Sequence, residues 1–448
     1  MLFLTVSNQR SWRAKYYLLS TFSVVVNFYS LLKLQILDAI INNQFQWCVM
    51  FNKDMYELGN NRSVIRELFE YGKLRARELG GDKVYDFSLG NPSVPAPREV
   101  NDTIKQLIET VDSTALHGYT SAQGDLSVRK AIAQNLNNRF ASSYSENDIY
   151  MTCGAAAGLA ISIKALCEAD DRFMILAPHF PEYTVFVKSA GGTPVTVPFD
   201  GDFQIDFDAL SNAITEKTKA IIVNSPNNPS GVIYTRETLI KLSNVLNEVA
   251  TKFGHPIFII ADEPYRELVY DGAEVPFIPA IYKNTIVCYS FSKSLSLPGE
   301  RIGYLAINPV CESARELYCA VMGAGRALGY VCAPSMLQYT VAKCLDARPN
   351  VCAYDENRNL LYNALSEIGF KCVHPSGAFY LFVKAPNGNS KEFSERAKKH
   401  GLLIVPADSF AAEGWVRIAY CVSKDMILRS LPAFKQLYNE YKSGVEFY

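Results

Sequence analysis

Several residues able to do chemistry stand where a buried run of this chain has just ended. Lys293 lies in Ser290-Phe291-Ser292-Lys293-Ser294, directly after the apolar run 285–289. An amine can form an imine with an aldehyde once its ammonium, ordinarily of pKa about 10.4, has given up a proton. Arg301 follows eight residues later, past a Pro-Gly turn, and is a fixed cation able to grip a phosphate through paired N–H donors. A second run, 257–261, ends in Asp262-Glu263-Pro264-Tyr265, and a third, 220–224, in Ser225-Pro226-Asn227-Asn228-Pro229-Ser230-Gly231. A carboxylate, a phenol, an amide and an amine meeting at one sheet edge suit a pyridine-ring cofactor. The carboxylate keeps the ring nitrogen protonated and the amide and phenol stabilise a ring oxide. The amine makes the imine and then serves as general base if its pKa falls to about 7 to 8.

The elements that must position these groups follow from the hydrophobic pattern. Between 148 and 307, strand-like runs alternate with helical stretches, which predicts an α/β fold with a mostly parallel, doubly wound sheet. In such sheets ligands bind outside the carboxyl ends of the strands, so Lys293 is expected in a loop there. The strand at 148–152 leads into Cys153-Gly154-Ala155-Ala156-Ala157-Gly158. Small residues at a strand-to-helix turn leave the first amides free for an anion. No G-x-G-x-x-G occurs in this turn, so it is not the dinucleotide fingerprint. Residues 98–140 read as two helical stretches around His117-Gly118-Tyr119-Thr120. From 350 onward strands and helices mix as in a smaller α+β domain. The expected organisation is an extension at 1–54, an arm and part of a small domain at 55–97, a large cofactor domain at 98–330 and a small C-terminal domain at 331–448, with the small domain drawing on both ends of the chain.

Composition limits the alternatives. With 44 basic and 45 acidic side chains in 448 residues the net charge is −1, so no polyanionic partner is advertised and nucleic-acid binding is not read. The 11 cysteines contain no C-x-x-C pair and no zinc spacing, which suits reduced thiols in the cytoplasm and no metal site. Residues 16–32 form an uncharged, largely apolar run just short of a membrane span. Membrane contact is expected only there, and the preferred reading of 1–54 is a dispensable extension, since Met50 and Met55 stand just ahead of the recognisable domain. The five histidines have no visible partner and receive no catalytic role. Each site residue also has a plain use: Asp262 can cap a helix, Tyr265 can fill a core, Asn228 can make a turn and Arg417 an ion pair.

N-N-P-S-G, D-E-P-Y, S-F-S-K with an arginine eight residues on, and R-I-A-Y occur in this order. On these motifs the chain from about Ser63 to its end resembles a class I/II aminotransferase of the aspartate aminotransferase family, the fold-type I pyridoxal 5'-phosphate enzymes. The resemblance implies that Lys293 is the Schiff-base lysine, that Asp262 partners the pyridine nitrogen and that Asn228 and Tyr265 bind the ring oxide. Gly154, Ala155, Ser290, Ser292 and Arg301 would hold the phosphate, and Phe180 would stack on the ring. Tyr119 would reach the phosphate of a neighbouring subunit, which implies a homodimer with shared sites. Arg417 would clamp the substrate α-carboxylate, with Gly90, Asn91 and Asn228 also on the substrate side. The triple alanine at 155–157 departs from the polar side chain frequent in relatives and throws phosphate binding onto amides and Arg301. Phe180 stands where many relatives carry Trp or Tyr. The implied reaction is a ping-pong exchange of an amino group between an amino acid and a 2-oxo acid, Lys293 moving the proton between the α-carbon and the cofactor's C4' carbon. A C–S β-lyase on the same fold is a second reading. A non-catalytic regulator of the same fold is a third, against which stand Lys293 itself and the lack of a basic helix-turn-helix pattern in 1–54.

Overall fold

The computed structural model describes residues 51–60 and 63–444. The chain divides into two compact units between Ser63 and Val64. In the first unit the described residues hold one helix, Lys53–Asn60, and the apolar run 16–32 lies outside the described residues. The described residues of the second unit carry 13 strands: β1 (Tyr85–Asp86), β2 (Ile149–Thr152), β3 (Arg172–Leu176), β4 (Thr193–Val197), β5 (Thr218–Asn224), β6 (Phe258–Asp262), β7 (Thr285–Ser290), β8 (Gly303–Ile307), β9 (Cys372–Val373), β10 (Tyr380–Lys384), β11 (Leu402–Leu403), β12 (Val405–Pro406) and β13 (Trp415–Ala419).

Seven of them form one sheet in the order β2-β8-β7-β6-β5-β3-β4. The run from β7 to β4 is parallel, while β8 is antiparallel to both its neighbours. Strands β6 and β7 are buried along their whole length, as continuous Ile/Val runs require when helices cover both faces. The period of two is visible in the packing. Ile221, Val223, Ile259, Ala261 and Val287 join one core, whereas Ala220, Ile222, Ile260, Ile286 and Cys288 join another on the opposite face.

A separate antiparallel sheet, β12-β13-β10-β9, builds the smaller layer. Beside it β1 pairs in parallel with β11, Tyr85 opposite Leu402. Phe87, just after β1, packs in one core with Tyr354, Leu361, Phe379 and Phe434, so both ends of the described second unit contribute to this layer. Among the described residues no helix is long and apolar enough to cross a membrane.

Two local expectations change. Residues 98–140 form three helices, Arg98–Thr110, Ser113–His117 and Leu126–Phe140, because Asp112 starts a new one by accepting from the amides of Thr114 and Ala115 at 3.0 and 3.1 Å. Lys293 lies on a single helical turn, Phe291–Ser294, and not in an open loop. Ser290 caps that turn by accepting from the Ser292 amide at 3.1 Å.

Candidate active site

Sheet register alone aligns the ends that carry chemistry. Asn224 pairs with Asp262 and Asp262 with Cys288, so β5, β6 and β7 finish side by side. Because β8 runs the other way, its first residue, Gly303, lies opposite both Ser290 and Thr152. The turn Cys153-Gly154, the serines at 290 and 292 and Arg301 therefore converge on one end of the sheet, neighbouring strands being about 4.8 Å apart.

Asp262 is buried among these ends. Its Oδ2 accepts from the Tyr183 hydroxyl at 2.5 Å, while Oδ1 has no partner among the described residues. Burial pushes its carboxyl up to about 7, with Tyr183 pulling it back and Glu263 adding to the rise. Asn224 fixes its backbone: Nδ2 donates to the Asp262 carbonyl at 2.9 Å while Oδ1 accepts from the Asn228 amide at 2.8 Å. One amide side chain thus ties the second and third chemistry-bearing loops together.

Lys293 is half-buried. Its Nζ donates to the Gly90 carbonyl at 2.6 Å and lies 5.2 Å from the centre of the Phe379 ring. Burial pushes the amine down to about 8; Cys421 works against that fall, and the Arg301 and Arg417 cations work with it. Arg417 is 2 % exposed, donates to Asn228 Oδ1 at 3.0 Å and to the Ser88 carbonyl at 2.6 Å, and its Nε has no partner among the described residues. The Tyr265 and Tyr380 hydroxyls lie 2.9 Å apart.

At the glycine turn, Gly154 has φ of 83°, and a Cβ there would come within 2.7 Å of Arg301 Nη2. The positive φ favours glycine here, and the absence of a side chain lets the guanidinium come close to the turn. Ala155 opens the 12-residue helix Ala155–Leu166, whose first amides have no intrahelical acceptor. Arg301 Nη1 donates to Ser292 Oγ at 3.3 Å and to the Pro298 carbonyl at 3.1 Å, and Ser290 Oγ donates to Ser292 Oγ at 2.8 Å. Amides, hydroxyls and a guanidinium at one helix start can hold a dianion.

Phe180 is half-buried and meets Tyr183 edge-on at 5.8 Å, which puts it beside the Asp262 partner. Tyr119 and Asn91 are different. Tyr119 is 89 % exposed, Asn91 is exposed beside Gly90, and neither takes part in the contacts just described. The sequence reading missed Tyr183, Asn224 and Tyr380. Tyr183 had a signal, lying one helical turn after Phe180 where a buried hydroxyl must find an acceptor. Asn224 had one as well, being the polar residue that closes the buried run 220–224, whereas Tyr380 had none, since it reads simply as a strand residue.

Residues 82–433 match the family "Aminotransferase class I and II". Relatives include the aromatic-amino-acid aminotransferase 2 of Thermococcus litoralis, 29% identical over 85% of this chain and 97% of its own length. The aspartate aminotransferase of Bacillus subtilis is also 29% identical, over 82% of this chain and 95% of its own. Among solved structures, an aminotransferase from Eubacterium rectale is 56% identical, covers 88% of this chain and 99% of its own, and superposes with a TM-score of 0.86. The aspartate aminotransferase of Thermus thermophilus is 25% identical with a TM-score of 0.75, covering 84% of this chain and 97% of its own. With the family match spanning most of the described residues and the aligned strand ends carrying that family's motifs, this chain belongs to the class I and II aminotransferases.

Proposed function

We propose that this aminotransferase uses pyridoxal 5'-phosphate tethered to Lys293 and moves an amino group between an L-amino acid and a 2-oxo acid in two half-reactions. The observation that carries the reading is the orphaned Oδ1 of buried Asp262 on the same sheet edge as an amine that burial lowers to about 8. A buried carboxylate oxygen without a donor is costly unless something supplies one. A protonated pyridine nitrogen is such a donor. The glycine turn, Ser290, Ser292 and Arg301 fit the phosphate; Tyr265 and Asn228 suit the ring oxygen, and Phe180 the ring face. When bound, the cofactor supplies an electron sink for the charge that develops at the substrate's α-carbon.

The chain's own residues supply the rest. Arg417 binds the substrate carboxylate, its orientation set by Asn228 and the Ser88 carbonyl. Lys293, whose amine burial lowers to about 8, would take the proton from the substrate's α-carbon as a general base. Tyr119, exposed in a single chain, would complete the phosphate site of a second copy, so the working form is a homodimer with shared sites, in the cytoplasm.

The test is a half-reaction. Enzyme loaded with pyridoxal phosphate is mixed with one amino acid and no 2-oxo acid. The expected products are one equivalent of 2-oxo acid per site and the amine form of the cofactor, with no ammonia. Steady ammonia and pyruvate from a cystathionine-like substrate would instead make the protein a β-lyase.

A further inference from the structure

We infer that Tyr380 is a positioning residue, its hydroxyl polarising Tyr265 and its ring holding Arg417. Tyr380 opens β10 and is 3 % exposed. In the β10–β13 pairing Arg417 lies opposite Phe382. Tyr380, two residues before Phe382, shares its face and is the diagonal neighbour of Arg417. The outcome is a guanidinium 4.6 Å from the centre of the Tyr380 ring, a cation–π contact in a buried setting. The hydroxyl at the far end of that ring meets the Tyr265 hydroxyl at 2.9 Å. A Cβ on Gly90, whose carbonyl takes the Lys293 amine, would lie 2.1 Å from the same oxygen. One side chain thus touches the residues proposed for the carboxylate and the ring oxygen, and packs on the loop that receives the amine.

A phenol whose oxygen accepts a hydrogen bond becomes a stronger donor through its own proton, since chained hydrogen bonds polarise one another. Once Tyr265 turns its proton to the ring oxygen, it needs a donor at its own oxygen, and Tyr380 is the neighbour within reach. The two halves of Tyr380 have separable duties: the hydroxyl acts on chemistry, the ring on substrate affinity.

This inference rests on the function proposed above, and its test separates the two. Wild type, Tyr380→Phe, Tyr265→Phe and the double variant are loaded with pyridoxal phosphate, and the pH midpoint of the long-wavelength absorbance is measured with kcat and KM for one amino acid. Tyr380→Phe is expected to raise the midpoint by about half a unit and to lower kcat about fivefold, the size of one net hydrogen bond, with KM changed less than about twofold. Both effects should vanish in the Tyr265→Phe background, as coupling through a shared contact demands. Tyr380→Leu, which also removes the ring, should raise KM about tenfold, the upper range of a desolvated cation–π contact. If wild type takes up no colour, the cofactor reading fails. If it does and Tyr380→Phe titrates like wild type, or its effects persist undiminished without the Tyr265 hydroxyl, the role assigned to Tyr380 is wrong.

Discussion

The amine of Lys293 donates to the carbonyl of Gly90, 203 residues earlier in the chain, at 2.6 Å. This hydrogen bond fastens the loop after β1 to the turn after β7. What keeps residue 90 a glycine is packing, because the space where a Cβ would stand is filled by the Tyr380 hydroxyl at 2.1 Å and its ring carbon Cζ at 2.9 Å. That ring cannot swing away easily, being held by Tyr265 and Arg417.

Gly90→Ala should therefore displace the loop and not merely crowd it. The expected cost is about 1–3 kcal/mol of stability, typical of overpacking, with kcat/KM down at least about tenfold because the Arg417 acceptor Ser88 lies two residues away. Combining it with Tyr380→Phe should return part of the stability, which thermal unfolding of the four proteins measures. Equal losses with and without the hydroxyl would show that the clash is not with the Tyr380 hydroxyl.

Lys293→Ala removes the amine proposed to make the covalent tether and to move the α-proton. Turnover should fall at least about a thousandfold, and the long-wavelength absorbance of the loaded protein should disappear. Borohydride should fix label to wild type and none to the variant. A variant retaining both absorbance and turnover would reassign the lysine.

Much of this arrangement was legible in the chain, for a physical reason. Buried strands such as β6 and β7 must be continuous apolar runs, so the polar residue that ends each run is conspicuous: Asp262, Ser290 and Lys293 announce themselves. Arg301 was legible from its spacing and motif, but the reason it approaches Gly154 needs β8, which runs antiparallel and puts Gly303 opposite both Ser290 and Thr152. Tyr380 stayed hidden because its work is done across strands, by diagonal contact that local sequence does not encode, and the partners of Asn224, though not its place at the end of a buried run, stayed hidden for the same reason. The single helical turn at Phe291–Ser294 was missed for a related reason: Ser290 caps it through its own side chain, and a run of serines reads equally well as loop.

Protonation gives a signed prediction for the cofactor-free protein. Folding raises the Asp262 carboxyl from 3.8 to about 7, so between those values the folded state holds more protons than the unfolded one, and stability falls as pH climbs through the window. Folding lowers the Lys293 amine from 10.5 to about 8. Here the unfolded state holds more protons, and stability is regained as pH rises from about 8 towards 10.5. Asp262→Asn cannot titrate at that site. Relative to it, wild type should lose on the order of a few kcal/mol between pH 4 and 7, read from denaturant midpoints at fixed ionic strength. A constant difference across that range would mean the carboxyl is charged throughout.

Tyr183 offers the sharpest separation between holding the fold and serving the site. Among the described residues its hydroxyl is the sole donor to Asp262 Oδ2 and Oδ1 has none, so Tyr183→Phe leaves a buried carboxyl with no partner there in the cofactor-free protein. Burial then acts unopposed by that hydrogen bond, and the carboxyl should titrate still higher than about 7. The stability loss should be about 1–3 kcal/mol, and it should be larger at pH 8 than at pH 5, since only the ionised form misses its donor. A carboxylate that is harder to ionise is a poorer partner for a cation, so pyridoxal phosphate should bind about five- to tenfold more weakly, the worth of one hydrogen bond to a charged group. Equilibrium dialysis of the cofactor measures that without reference to turnover. If affinity is unchanged while stability drops, Tyr183 supports the strand end alone; if both move together and the stability loss grows with pH, its proton is what readies Asp262 for the cofactor.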